Sequence, residues 1–172
     1  MKKLSIICMT VLAVFTMASC RGPKGDPGNA NVASSKVTVY SNDWRWVDNC
    51  HWMVEIDYPA INNNVFNHGA VLVYMDVNGS WNQVPLTFYY EDVITNQQGQ
   101  QEYINCEASI EVATLNNGGV RLYWTESDFY DGKRPDTHTF KIVAIEAWYY
   151  ANRSDVDYSN YEAVKTAFQR ED

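Results

Sequence analysis

The sequence predicts an all-β protein: an antiparallel two-sheet β-sandwich of about seven strands with a short C-terminal helix, preceded by a signal peptide and a flexible tether. Three observations carry this. Apolar residues recur with period two from Lys36 onward, Asn-Gly pairs punctuate the runs, and no long stretch with helical spacing lies among them.

The clearest run is 50–58. Cys50, Trp52, Val54, Ile56 and Tyr58 fall on one face and His51, Glu55 and Asp57 on the other, with Met53 the exception. Such alternation marks a sheet with one face buried and one solvated. Ile104, Cys106, Ala108, Ile110 and Val112 likewise share a face, opposed by Asn105, Glu107, Ser109 and Glu111. Further strands are expected at 37–41, 70–77, 84–91, 120–125 and 140–148. Two of these, 70–77 and 140–148, are nearly continuous in apolar residues and are therefore expected at the centre of a sheet. Asn78-Gly79 and Asn117-Gly118 supply the residues that accept positive φ in tight hairpins.

The tail changes period. Ser159-Asn160-Tyr161-Glu162 fits a capping box with Ser159 as the cap, and Tyr161, Val164 and Phe168 then recur at helical spacing. A helix of about two turns is not stable alone, so it has to dock on the sandwich.

Three segments are expected along the chain: a signal at 1–19, a lipidated Cys20 with a Gly/Pro-rich tether at 20–35, and the β domain at 36–172. Lys2 and Lys3 precede an apolar stretch at 4–17 that is too short to span a bilayer. Met17-Ala18-Ser19-Cys20 is similar to the bacterial lipobox, in which small residues precede a Cys that accepts diacylglycerol. Two or three acyl chains, at roughly 0.8 kcal/mol per buried methylene, make a lasting anchor. Arg21 follows the Cys where inner-membrane retention typically has Asp, so the expected location is the cell envelope, at the outer membrane, with the orientation of the leaflet open. Gly22-Pro23-Lys24-Gly25-Asp26-Pro27-Gly28 is collagen-like in composition, but two triplets do not hold a triple helix and read as a spacer.

Composition narrows the function. The 172 residues suffice for one domain, and 46 % hydrophobic with 14 % aromatic residues gives it ample core. The net charge is −8 and Lys and Arg form no cluster, which excludes nucleic acid as the expected partner. No nucleophile elbow, zinc-protease motif or phosphate-binding loop occurs, so no enzyme and no cofactor are expected. His51, His68 and His138 stand apart, and no metal site is expected from them. Asp76-Val77-Asn78-Gly79 lacks the later ligands of a calcium loop. In the loop 128–137, Asp128, Asp131 and Asp136 with backbone carbonyls are an alternative Ca²⁺ reading, against which Lys133 and Arg134 can neutralise the same carboxylates.

Of four Cys, Cys8 belongs to the signal and Cys20 to the lipobox, leaving Cys50 and Cys106 for the domain. In an exported chain these are a disulfide candidate, with two unbridged buried thiols as the alternative. Trp44, Trp46 and Trp81 are the ligand-binding candidates. Trp44 and Trp46 lie two apart, so in an extended segment both rings leave one face and can stack on a sugar; core or edge packing is the competing reading.

The lipobox Cys20, the Gly-Pro triplets, Asp128-Phe129-Tyr130, the segment from Arg134-Pro135-Asp136-Thr137-His138 to Val143, and the tail Asn160-Tyr161-Glu162-Ala163-Val164-Lys165 together resemble a group of uncharacterised small lipoproteins of Bacteroidota. These carry a collagen-like leader and a single β domain, and the likeness spans essentially the whole chain. It implies an envelope location and adds weight to glycan contact, without implying a role for any residue. The expected protein is thus a lipid-anchored, non-enzymatic binding or structural module, its partners being the membrane through Cys20 and a glycan or envelope protein. A carbohydrate-binding module and a subunit of a surface assembly are the alternatives.

Overall fold

The computed structural model describes residues 31–48, 50–126 and 134–168. The expected signal, Cys20 and the Gly-Pro triplets lie outside these residues, as do Asp128, Asp131 and Lys133. Two antiparallel sheets form the sandwich that the alternation predicts. One contains β1 (Val32–Val39), β4 (Ala70–Val77), β5 (Ser80–Gln83) and β9 (His138–Ile145), in the order β1-β9-β4-β5. The other contains β2 (Arg45–Val47), β3 (His51–Asp57), β6 (Leu86–Thr95), β7 (Gln101–Leu115) and β8 (Gly119–Glu126), in the order β2-β3-β8-β7-β6.

Among the described residues the strands number nine rather than about seven, because β2 and β5 are short strands that the alternation does not mark, and one expected boundary also moves. β1 starts at Val32, so the last residues of the expected tether belong to the domain. Val32 packs in an apolar cluster, and β1 pairs with β9 over its full length, from Val32 opposite Ile145 to Val39 opposite His138. The expected strand 84–91 is preceded by a separate β5, and Pro85 stands where the chain leaves one sheet for the other.

Turn chemistry acts as the sequence suggests. Asn78 and Gly79 have φ of 54° and 81° and close a two-residue hairpin between Val77 and Ser80, the positive-φ pair that suits strand twist. Gly118, with φ of 93°, closes a longer loop between Leu115 and Gly119.

The four-stranded sheet is buried on both faces, which explains the near-continuous apolar content of β4 and β9, its two central strands. Its inner face sends Val73, Met75, Phe140 and Ile142 against Trp44, Ile110, Leu122 and Trp124 in the inter-sheet core. Its outer face carries Leu72, Tyr74, Val143 and Ile145, covered by Tyr161, Val164 and Phe168 of the tail. The tail helix, α3 (Tyr161–Ala167), docks as its spacing requires, but its cap is Asn160 rather than Ser159. The Asn160 side chain accepts from the backbone N–H of Glu162 and Ala163, while the Ser159 hydroxyl bonds to Asp157 Oδ1 at 2.5 Å.

Beneath α3 lies Lys141, only 2 % exposed, its ammonium hydrogen-bonded to the Tyr161 hydroxyl and lying 5.0 Å from the centre of the Trp81 ring. Two further short helices, α1 (Asn63–His68) and α2 (Ala147–Ala151), pack against each other beside the ends of β4 and β9. Helix α2 takes the last residues of the expected strand 140–148. Gly69, between α1 and β4, lies so close to the Ile145 carbonyl that a Cβ has no room there.

The Cys50–Cys106 bridge is not formed, and both residues are thiols. Cys50 lies in the β2–β3 turn and Cys106 in β7, with β8 between β3 and β7. Two interstrand spacings of about 4.8 Å already exceed the roughly 7 Å between Cα atoms that a disulfide spans. Because Cys50 is a turn residue, alternation does not separate it from His51, and its Sγ lies 3.0 Å from His51 Nδ1.

Candidate functional site

Inward-facing side chains at one end of the sandwich extend past the closed core. Phe88 and Tyr90 project there from β6, Trp124 and Glu126 from the end of β8, and His138 from the start of β9, with Arg134, Pro135 and Asp136 leading into it. They enclose a pocket of about 170 Å³. This is below the 300–1,000 Å³ of typical drug-sized sites, so it suits a single ring or chain terminus.

The floor is an aromatic stack. The rings of Trp124 and His138 lie nearly parallel, 4.9 Å apart at 21°, and Phe88 meets Trp124 edge-on at 5.3 Å. Trp44 supports the stack from the core, edge-on to Trp124 at 6.2 Å. Burial lowers the His138 pKa, partly countered by the nearby Asp136 carboxylate, so its imidazole is neutral in neutral solution.

The polar groups are held by named partners. Glu126 Oε1 accepts from Trp124 Nε1 at 3.0 Å, and the carboxylate also takes a hydrogen bond from Tyr90. Burial and that carboxylate raise the Tyr90 pKa, keeping the phenol protonated. The Arg134 guanidinium lies 5.3 Å above Trp52 and donates to Asn42 Oδ1 at 3.1 Å. Ser41 N donates to Thr137 Oγ1 at 3.3 Å, so the stretch before β9 is strapped to the 3₁₀ turn Ser41–Asp43. One wall is thus tied down by sequence-distant contacts.

The three candidate Trp are distributed differently. Trp44 is 1 % exposed and belongs to the core beneath the pocket. Trp46 is 41 % exposed, because it lies on the edge strand β2 with cover from one side only, where it meets Trp52 edge-on at 5.2 Å. Trp81 is half-buried under α3, with its ring 5.8 Å from Tyr161. The structure brings no two of them to one open groove, and none lines the pocket.

The residues that do line it sit where alternation marks only "inward". Within the sequence, the one direct signal is the polar stretch Arg134 to His138 ahead of an apolar strand. A larger opening of about 510 Å³ runs between β1 and β3, but it is an open seam without aromatic rings or His. Comparison of the chain with protein-family models, curated proteins and solved structures gives no match. Among the described residues, no group of three or more His, Cys, Asp and Glu converges to hold a metal ion, and no helix is long and apolar enough to cross a membrane.

Proposed function

We propose that this chain is a lipid-anchored, non-enzymatic binding module of the cell envelope, held at the outer membrane through Cys20, whose end pocket takes a terminal carbohydrate ring. The observation that carries this reading is an aromatic floor beside carboxylates and a guanidinium: the apolar face of a sugar meets Phe88 and Tyr90, and its hydroxyls meet Asp136, Glu126 and Arg134. Glu126 already accepts from Trp124 and Tyr90, an arrangement suited to a fixed acceptor rather than to a proton-transfer group. The site supporting the glycan reading therefore differs from the Trp candidates of the sequence.

The test is a glycan array on the mature full-length chain, followed by titration of any binding glycan with Trp fluorescence. Glu126→Gln and Arg134→Ala are each expected to weaken binding roughly tenfold, the effect of losing one good hydrogen bond. Unchanged affinity in both variants, or no glycan bound, removes the carbohydrate reading.

A second reading, a subunit of a surface assembly, is favoured by the β6 edge, which among the described residues has no strand beyond it and exposes Tyr89, Val93 and Ile94. Light scattering on the wild type and on Val93→Lys tests it: a dimer or larger species that the substitution dissociates supports it, and a monomer throughout removes it.

A further inference from the structure

The two ends of the sandwich differ in where the chain enters. The described chain begins at Asn31, whose carbonyl accepts from the backbone N–H of Glu146 at 2.9 Å, directly before α2. Ten residues lie between Cys20 and Asn31, so the eleven Cα-to-Cα steps reach at most about 39 Å when fully extended. At the same end, α1 and α2 pack together and present Trp148, Tyr150 and Phe66 to solvent. Trp148 is 68 % exposed, and its ring contact is with the adjacent Tyr149 at 5.2 Å. The pocket lies at the opposite end of β1, eight residues or about 26 Å away.

Trp and Tyr are the residues that settle at the level of lipid headgroups, where an apolar ring body and a polar tip are both satisfied. Exposed apolar rings clustered in this way mark an interaction surface. The net charge of −8 argues against attraction to anionic lipid, so the rings rather than charge would have to make the contact.

We propose that the α1–α2 end is a lipid-docking face: Trp148, Tyr150 and Phe66 enter the headgroup layer of the membrane that holds Cys20 and orient the domain with its pocket outward. This rests on the lipid-anchor reading above. The occupant is the bilayer because the described chain begins beside these rings at Asn31, which places them within tether reach of the lipid on Cys20. Docking is insensitive to salt, since aromatic insertion rather than ion pairing provides it.

The experiment uses the full mature chain purified from membranes and reconstituted in phosphatidylcholine vesicles with brominated acyl chains, which quench Trp on contact. Trp148→Phe and Trp46→Phe are compared with wild type. Trp46, the other strongly exposed Trp, lies at the pocket end opposite Trp52. Quenching in wild type and Trp46→Phe that Trp148→Phe abolishes, unchanged in 0.5 M salt, is the expected result, with ~0.5 M chosen to reduce the screening length well below 10 Å. Equal quenching in wild type and Trp148→Phe, or quenching that Trp46→Phe abolishes instead, overturns the proposal. Intact mass reads the anchor separately: a mature chain without diacylglycerol at Cys20 removes the anchor reading. The same quenching comparison on that unlipidated chain at raised lipid then decides the docking face, with no Trp148-dependent quenching overturning it.

Discussion

The two sheets of the sandwich are built from similar strands but differ in what covers them. The four-stranded sheet has the other sheet on one face and the C-terminal segment on the other, so β4 and β9 are apolar on both sides. Among the described residues the five-stranded sheet is covered on its inner face alone, and its outer face keeps exposed groups such as Tyr89, Tyr103, and Glu55 paired with Arg121. Single-sided cover yields clean alternation, and double-sided cover erases it. The pocket opens at one end of the sandwich, where β6 and β8 of one sheet face the start of β9 of the other.

The largest expected effect comes from breaking the cover that the sheets share. Trp44→Ala should cost about 3 to 5 kcal/mol in urea unfolding, since it empties a fully buried ring site against Trp124. Trp44→Phe should cost less, because a ring still fills most of the site and, among the described residues, the buried Trp44 indole N–H has no hydrogen-bond partner to lose. Equal losses in the two variants would show that a phenyl ring does not restore the packing against Trp124.

Removing the second cover should cost somewhat less. Tyr161→Ala strips α3 of its main contact with Tyr74 and Trp81 and takes a partner from Lys141, for about 2 to 4 kcal/mol. Amide exchange should then show the tail unprotected while β7 and β8 keep their protection. Uniform loss of protection would show instead that the two clusters melt as one.

At the pocket, pH sharpens the comparison. His138 has a lowered pKa when folded and about 6.5 when unfolded, so the unfolded chain binds the proton more readily between these values. The stability contribution is complete above about pH 6.5 and falls as the pH drops toward the folded value. His138→Phe should remove that part of the acid slope, which parallel melts of both proteins between about pH 7 and pH 5 would reveal; identical slopes would exclude His138 as its source. The smallest effect belongs to the open face: Arg121→Ala, at the exposed pair with Glu55, should leave the unfolding midpoint unchanged within error.

Much of this architecture is legible in the sequence, and the failures are informative. The 70–77 strand is found at its expected bounds because its apolar run and the Asn78-Gly79 turn agree. The tail helix is displaced at its cap by one residue because Ser159 and Asn160 are both good caps, and local pattern does not choose between them. Cys50 and Cys106 share inward parity on paper, yet β8 stands between their strands. Trp44 and Trp46 have the same parity, and only their cover separates them.

By itself, the sequence determined the period-two strands, the hairpin turns, the central placement of the two apolar strands and the amphipathic tail, because each is written in a pattern of neighbouring residues. The pocket belongs to the tertiary structure. It joins 88–90, 124–126 and 134–138, segments separated along the chain that meet only when the two sheets pack. Periodicity states which way a side chain points; only the packed sheets decide what, if anything, lies opposite it.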